Sequence, residues 1–229
     1  MAGGFGKRLQ PITKNIPKPM LQINNQPILE TILLKISNNG FSNFIFSLYY
    51  KSKVIEEYFE NGSKWNVEIE YLKENKPLGT AGALGLLNKR KLKEPIIINN
   101  ADIISNINYS TLLDFHNKNK NKVTICIKEY KNQIPFGVIK LKGTNLDKII
   151  EKPVTKHFVN AGIYIIEPEL LINLDGKTFC DMTDFILNIK NQGIAIGTFP
   201  IYETWNDIGS KEELKKQTTK KINKLHEER

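Results

Sequence analysis

Four short apolar segments, 44–48, 95–99, 123–127 and 194–199, are rich in β-branched or aromatic residues and bounded by polar turn residues, which predicts strands. Between the early ones, apolar positions recur with a period of about 3.6 residues, predicting helices over 27–38, 53–59, 80–87 and 109–118. Such alternation of strand and helix implies an α/β sandwich around a largely parallel sheet. After Lys122 the pattern changes: 137–141, 146–151 and 158–166 read as strands joined by short turns, an antiparallel addition expected to serve as a lid over substrate.

Ahead of all these elements stands Gly3-Gly4-Phe5-Gly6-Lys7-Arg8-Leu9, followed by Pro17-Lys18-Pro19-Met20. Glycines permit positive φ and let backbone amides approach an anion closely. Arg8 offers a planar fork for phosphate oxygens and Lys18 a compact charge. The fragment is therefore either a phosphate cradle or a glycine turn with surface cations. It is no P-loop, since no Gly-Lys-Ser/Thr follows, and no dinucleotide fingerprint, since Arg8 stands where that helix would begin. Such a loop normally follows a buried strand, yet only Met1 and Ala2 precede it. The first strand is expected to be truncated, either because the chain is cut from a longer protein or because its start lies at an internal methionine. Loss of a central strand would expose backbone groups that need partners.

A chain of 229 residues, 40% of them hydrophobic, can bury one substantial core. No apolar run approaches the roughly 20 residues of a membrane span, so a cytoplasmic protein with no membrane partner is expected. Cys126 and Cys180 lack the spacing of a zinc site or a disulfide framework and read as reduced, mostly buried thiols. The net charge of +9 fits a nucleic-acid binder, polyanionic substrates, or simply a solvated lysine-rich surface, the last being preferred. Region 211–229 interleaves lysines with glutamates and reads as a charged helix or tail after a domain of residues 1–210. His116, His157 and His226 have no Ser or Cys partner at recognisable spacing and read as packing or surface residues.

Downstream, Asn99-Asn100-Ala101-Asp102-Ile103 follows the strand at 95–99. This puts Asp102 at the carboxyl end of a parallel strand, where open α/β sheets bind ligands, and makes it a metal-ligand candidate. Together with Gly3–Arg8, Pro17-Lys18-Pro19, Pro77-Leu78-Gly79-Thr80-Ala81-Gly82 and Trp205-Asn206-Asp207-Ile208-Gly209, it resembles the sugar-1-phosphate nucleotidyltransferase family in the order of its signatures. The resemblance runs from Gly3 to about Ser210.

It implies a Rossmann-like three-layer α/β sandwich with a mostly parallel mixed sheet, and residues 1–210 as the nucleotidyltransferase domain. It implies further that Ala2, Gly3, Gly4, Gly6, Lys7, Arg8, Pro77, Gly79, Thr80, Ala81 and Asn100 bind the nucleotide. Arg8, Lys18 and Asp102 are the expected catalytic residues. Asp102 and Asp207 are the expected ligands of Mg2+, which keeps several waters and accepts few protein ligands. On the sugar side, Phe136-Gly137-Val138, Glu151-Lys152-Pro153 and Asn160-Ala161-Gly162 match in order. By that match Lys152 holds the sugar phosphate, Glu151 and Asn160 bond sugar hydroxyls, and Gly137 and Gly162 leave room for the ring, with Asp102 also facing substrate. The implied reaction joins an NTP, GTP by preference, to a hexose, hexosamine or heptose 1-phosphate with release of pyrophosphate. The guanylyltransferase domain of legionaminic acid biosynthesis is one similar case, with an upstream regulatory domain. Homodimers suit the family, and no specific nucleic-acid partner is expected. The competing readings are a catalytically silent paralogue that binds NDP-sugar and a phosphocholine cytidylyltransferase.

Overall fold

The computed structural model describes residues 1–217. Two small strands, β1 (Gln22–Ile23) and β2 (Gln26–Pro27), lead into helix α1 (Ile28–Ser37). Its buried Ile28, Leu29, Ile32 and Leu33 share one face, the spacing that selects a helix over a strand here. Strand β3 (Asn43–Leu48), helix α2 (Ser52–Phe59) and strand β4 (Glu68–Lys73) form a βαβ unit, with β3 and β4 parallel. Next come α3 (Gly79–Gly82), β5 (Ile96–Asn99), β6 (Ile103–Ser105) and α4 (Tyr109–Lys118), whose first turn is capped by Asn108 accepting from Thr111 N–H at 2.9 Å. The long strands β7 (Val123–Gln133) and β10 (Val154–Ile166) enclose the hairpin β8 (Val138–Lys142) and β9 (Asn145–Ile150). Helix α5 (Met182–Asn191), β11 (Ile196–Ile201) and β12 (Trp205–Asp207) follow.

The central ladder runs β11-β7-β10-β5 and is mixed: β11 lies parallel to β7, while β10 runs against both of its neighbours. Alternation along β5 and β10 sorts the core. Ile98, Tyr164 and Ile166 face Met182, Phe185 and Ile186 of α5, whereas Ile97, Ile163 and Ile165 face Tyr109 and Leu112 of α4. Helices α1 and α2 cover β3 and β4 through Leu33, Ile55 and Phe59. Between the two ladders Met1–Gly3 supply the only rungs among the described residues. Met1 N–H donates to Asn99 O at 2.9 Å, Ala101 N–H to Met1 O at 3.0 Å, and Ala2 N–H to Ser47 O at 2.9 Å.

One helix differs from expectation. The span 80–87 is not continuous: α3 gives way at Ala83–Leu86 to a 3-10 turn. Gly82 and Gly85 press against the backbone of residues 176–180, and a Cβ on Gly82 would sit 2.7 Å from Thr178 O. The segment bends to this crossing. Residues 211–217 are helical and begin with a capping box, Ser210 N–H donating to Glu213 Oε2 at 2.9 Å and Glu213 N–H to Ser210 Oγ at 3.2 Å. The remainder of the expected tail, His226 included, lies outside the described residues. No helix among the described residues is long and apolar enough to cross a membrane.

Candidate active site

The glycine loop opens directly off the Met1–Gly3 rungs. Gly6 has φ +61°, and a Cβ there would lie 2.9 Å from Thr13 Cγ2, while Thr13 Oγ1 donates to Gly6 O at 2.9 Å. A side chain at Gly3 would press on Glu74, whose Oε1 would stand 2.7 Å from a Cβ there. The loop thus curls against a cavity of about 260 Å³ bordered by Ala2, Gly3, Gly4, Lys18, Pro77, Gly79, Thr80, Asn100 and Asp102. Gly6, Lys7, Arg8 and Ala81 do not border it. Ala81 is fully buried, its N–H donating to Cys180 O at 3.0 Å. Thr80 both borders the cavity and anchors α5, since its Oγ1 accepts from Met182 N–H at 2.7 Å.

Two carboxylates and two cations converge beside this cavity. Lys18 Nζ forms an ion pair with Asp102 Oδ2. Strand β12 pairs with β6, setting Asp207 across from Ile103, and Ile208 N–H donates to Asp102 O at 2.9 Å. Arg8 closes the group from the other side: its Nη1 lies 3.2 Å from where a Cβ on Gly209 would be, and that same point is 3.0 Å from Asp207 Oδ1. Burial holds the Asp207 carboxyl above its ordinary range, the charge of Asp102 adds to this, and Lys18 and Arg8 oppose it. Asp207 Oδ1 is buried without a hydrogen-bond partner. An orphaned carboxylate oxygen beside a second carboxylate is the environment a divalent cation relieves. Among the described residues no cluster of three or more His, Cys, Asp or Glu side chains is placed for a metal.

Asp207 also borders a second cavity, of about 480 Å³, with Asn160, Tyr130, Trp205 and Lys216. A register shift in the β10–β7 ladder between Asn160 and Tyr164 brings Gly162 over the end of β5. Asn100 N–H donates to Gly162 O at 3.0 Å, and a Cβ on Gly162 would meet Asn100 Nδ2 at 2.9 Å. Asn160 Oδ1 accepts from Gly162 N–H at 3.0 Å and its Nδ2 donates to Tyr164 OH at 2.8 Å. Gly137, Glu151 and Lys152 are gathered elsewhere, at the base of the β8–β9 hairpin. A Cβ on Gly137 would lie 3.0 Å from Glu151 Oε2, and Lys152 is an exposed turn residue with φ +44°. None of the three borders either cavity.

Sequence reasoning missed Glu74, Phe179 and Asp181, all of which border the first cavity. Glu74 is fixed by Ser47 Oγ, which donates to Oε1 at 2.8 Å, and by Leu78 N–H, which donates to Oε2 at 3.0 Å. Its signal was a carboxylate five residues ahead of Gly79. Phe179 and Asp181 arrive from about 100 residues away along the chain and carry no local signal.

The family model for nucleotidyl transferase matches residues 1–224. A mannose-1-phosphate guanyltransferase of Aspergillus fumigatus is 30% identical over 220 residues, 91% of this chain and 59% of that protein. The Saccharomyces cerevisiae protein of the same name is 30% identical over 98% of this chain and 64% of its own length. The chain therefore spans about three fifths of these relatives. Among solved structures, HddC from Yersinia pseudotuberculosis, also solved with GMP-PN, superposes with a TM-score of 0.74 at 24% identity, covering 96% of each chain, a likeness of fold. With its glycine loop, paired carboxylates and neighbouring cations arranged in that fold, this chain belongs to the nucleotidyl transferase family.

Proposed function

We propose that the chain transfers a nucleotidyl group from an NTP, with GTP preferred, to a sugar 1-phosphate, giving an NDP-sugar and pyrophosphate. The observation that carries this reading is the meeting of Arg8, Lys18, Asp102 and Asp207, with Asp102 bordering one cavity and Asp207 the other. A triphosphate in the first cavity and a sugar phosphate beside the second would bring two polyanions together there, and cations at that point offset their repulsion.

The attacking group is a phosphate oxygen already ionised at neutral pH, so no side-chain base is required. His116, buried against Thr124, fits that expectation. Lys18 and Arg8 neutralise the transferring and leaving phosphates, and Gly3 and Gly4 border the first cavity, where glycine backbone can approach an anion closely. Asp102 and Asp207 would hold a divalent cation, with Mg2+ suited to a pair of carboxylates completed by water and phosphate oxygens; bound there, it supplies Lewis-acid charge neutralisation. Lys152, exposed at the base of the β8–β9 hairpin and outside both cavities, is the residue proposed to hold the sugar phosphate, and Asn160, which borders the second cavity, the one to bond a sugar hydroxyl.

Guanine is favoured on two grounds. Relatives at 30% identity are named guanyltransferases. Glu74 also presents a carboxylate to the first cavity, and guanine alone among the common bases offers adjacent N1–H and amino donors to such an acceptor. The test is pyrophosphate release with Mg2+, crossing four NTPs against mannose, hexosamine and heptose 1-phosphates. Release with GTP and one sugar class is expected. Silence across the panel, in folded protein that still binds nucleotide, would overturn the proposal.

A further inference from the structure

Lys128 of β7 stands opposite Ile201, the last residue of β11, and its side chain is half-buried. Its Nζ donates to three consecutive backbone carbonyls: Ile201 O at 3.0 Å, Tyr202 O at 3.2 Å and Glu203 O at 2.9 Å. A lysine ammonium has three donors and no acceptor, so this one turn takes up all of them. Among the described residues no carboxylate pairs with Lys128. The carboxylate within the turn, Glu203, accepts instead from Tyr202 N–H at 3.1 Å. Three carbonyls aimed at one point bring negative dipole ends together, and a positive group at their focus offsets the repulsion. A shell of backbone carbonyls is also what a potassium ion accepts in place of its water, and an ammonium ion is of similar size.

The turn leads directly into the paired-carboxylate site. Strand β12 begins at Trp205, two residues after Glu203. Thr204 O accepts from Asn106 N–H at 2.9 Å, Trp205 Nε1 donates to Ala161 O at 2.8 Å, and pairing with β6 then sets Asp207 across from Ile103. Downstream, Ile208 is buried and bonded to Asp102 O. Upstream, residues 202–204 are exposed, so burial does little to hold the entry to β12 and the contacts of Lys128 carry that task.

We propose that Lys128 acts as a tethered monovalent cation. It holds the 201–203 carbonyls in one turn, through that turn positions β12 and Asp207, and on removal leaves a site of the potassium or ammonium class. Lys128 borders neither cavity and is a positioning residue. Only the step from Asp207 to a divalent cation rests on the enzymatic reading given above.

The test compares the full chain with Lys128→Ala and Lys128→Met in lithium, potassium and ammonium chloride at equal ionic strength. In lithium, amide exchange of residues 205–208 should quicken in both variants by about tenfold or more, the worth of one hydrogen bond to a charged group. Potassium or ammonium should return Lys128→Ala to near the wild-type rate. Lys128→Met, whose thioether occupies the place of the ammonium, should stay fast in every salt, and the wild type should be indifferent to the salt. If Lys128→Ala does not fold in lithium, its folding in potassium or ammonium becomes the readout. The half-saturating Mg2+ for pyrophosphate release should rise about 3- to 10-fold for Lys128→Ala in lithium and fall back in potassium, with turnover at saturating Mg2+ little changed. Unaltered exchange at β12 in both variants, or a defect in Lys128→Ala that all three salts leave equal, overturns the proposal. A restored exchange rate with an unmoved Mg2+ requirement overturns the positioning of Asp207. Exchange needs no turnover, so an inactive protein that shows the expected salt pattern counts against the enzymatic reading alone.

Discussion

Replacing Glu74 by Gln keeps the shape of the side chain and removes the charge that faces the first cavity. In the structure each carboxylate oxygen already accepts one hydrogen bond, from Ser47 Oγ at 2.8 Å and from Leu78 N–H at 3.0 Å. Each retains a second lone pair for a base. Guanine would use both, through N1–H and its amino group, whereas Gln can accept at one atom and must set its own NH2 against the second donor. A hydrogen bond to a charged group contributes about 1.5–3 kcal/mol, so losing one predicts a fall in kcat/KM for GTP of roughly 10- to 100-fold. UTP should lose far less, because Gln can accept from the uracil N3–H and donate to a neighbouring carbonyl. Folding should suffer modestly, since either Ser47 or Leu78 loses an acceptor, about 1 kcal/mol or a midpoint shift of 2–4 °C. The assay is pyrophosphate release with each NTP at saturating sugar 1-phosphate, reported as the ratio of GTP to UTP. An equal fall with all four nucleotides would refute base reading and reduce Glu74 to a brace between Ser47 and Leu78.

Other perturbations address the remaining parts of the site. Asp207→Asn should lower Mg2+-dependent turnover by about 100-fold or more while leaving the thermal midpoint level or slightly raised, because the carboxyl is held above its ordinary range and its charge burdens the fold; near-normal turnover removes it from the metal site. Lys152→Ala should raise the KM for sugar 1-phosphate by roughly 10-fold or more with the KM for NTP unchanged, and an unmoved sugar-phosphate KM sinks the assignment. His116 has its pKa lowered by burial, against the charge of Glu167 at 3.5 Å and with the help of Lys122. The folded state therefore binds its proton less readily than the unfolded chain, so this stability is present above the ordinary histidine range and is lost as pH falls below it. Thermal midpoints measured from pH 7.5 to 5 should drop more steeply in the wild type than in His116→Gln; parallel curves contradict the linkage. Burial pushes the Cys126 thiol up to about 12 and raises that of Cys180, so thiol titration at pH 8 should find fewer than one reactive group in native protein and both after denaturation.

What could be read from the sequence was local. The strands at 44–48, 95–99 and 123–127 and the helix at 109–118 are visible because a period of two or of about 3.6 residues is written in consecutive positions, and the structure has elements there. Strand β4 escaped because its apolar side is short, Ile69 and Tyr71 alternating with the exposed Glu68 and Glu70, and α5 because its buried stripe of Met182, Phe185, Ile186 and Ile189 spans only about two turns among the polar Thr183, Asp184, Asn188 and Lys190. The antiparallel course of β10 against β5 and β7 has no local signature at all, since direction is set by where the chain re-enters the sheet. The same division holds at the site. Gly3–Arg8, Asp102 and Asp207 announce themselves through short motifs, but the ion pair of Lys18 with Asp102 and the approach of Arg8 to Gly209 exist only through the folded topology.

The glycines at 79, 82 and 85 show why the base pocket was the least legible part. Read locally, a small-residue run at a helix start is either room for a base or room for a neighbouring backbone. In the structure all three meet the 176–180 crossing, and a Cβ on Gly79 would lie 2.5 Å from Cys180 O. That same crossing carries Phe179 and Asp181 into the first cavity and places Thr80 Oγ1 at the start of α5. A close approach between distant segments thus builds the wall on which the base would rest, and its glycines serve packing and ligand at once. A side chain at Gly79 should consequently disturb α5 and nucleotide affinity together, whereas Glu74, which stands outside the crossing, can alter base choice while α5 stays in place.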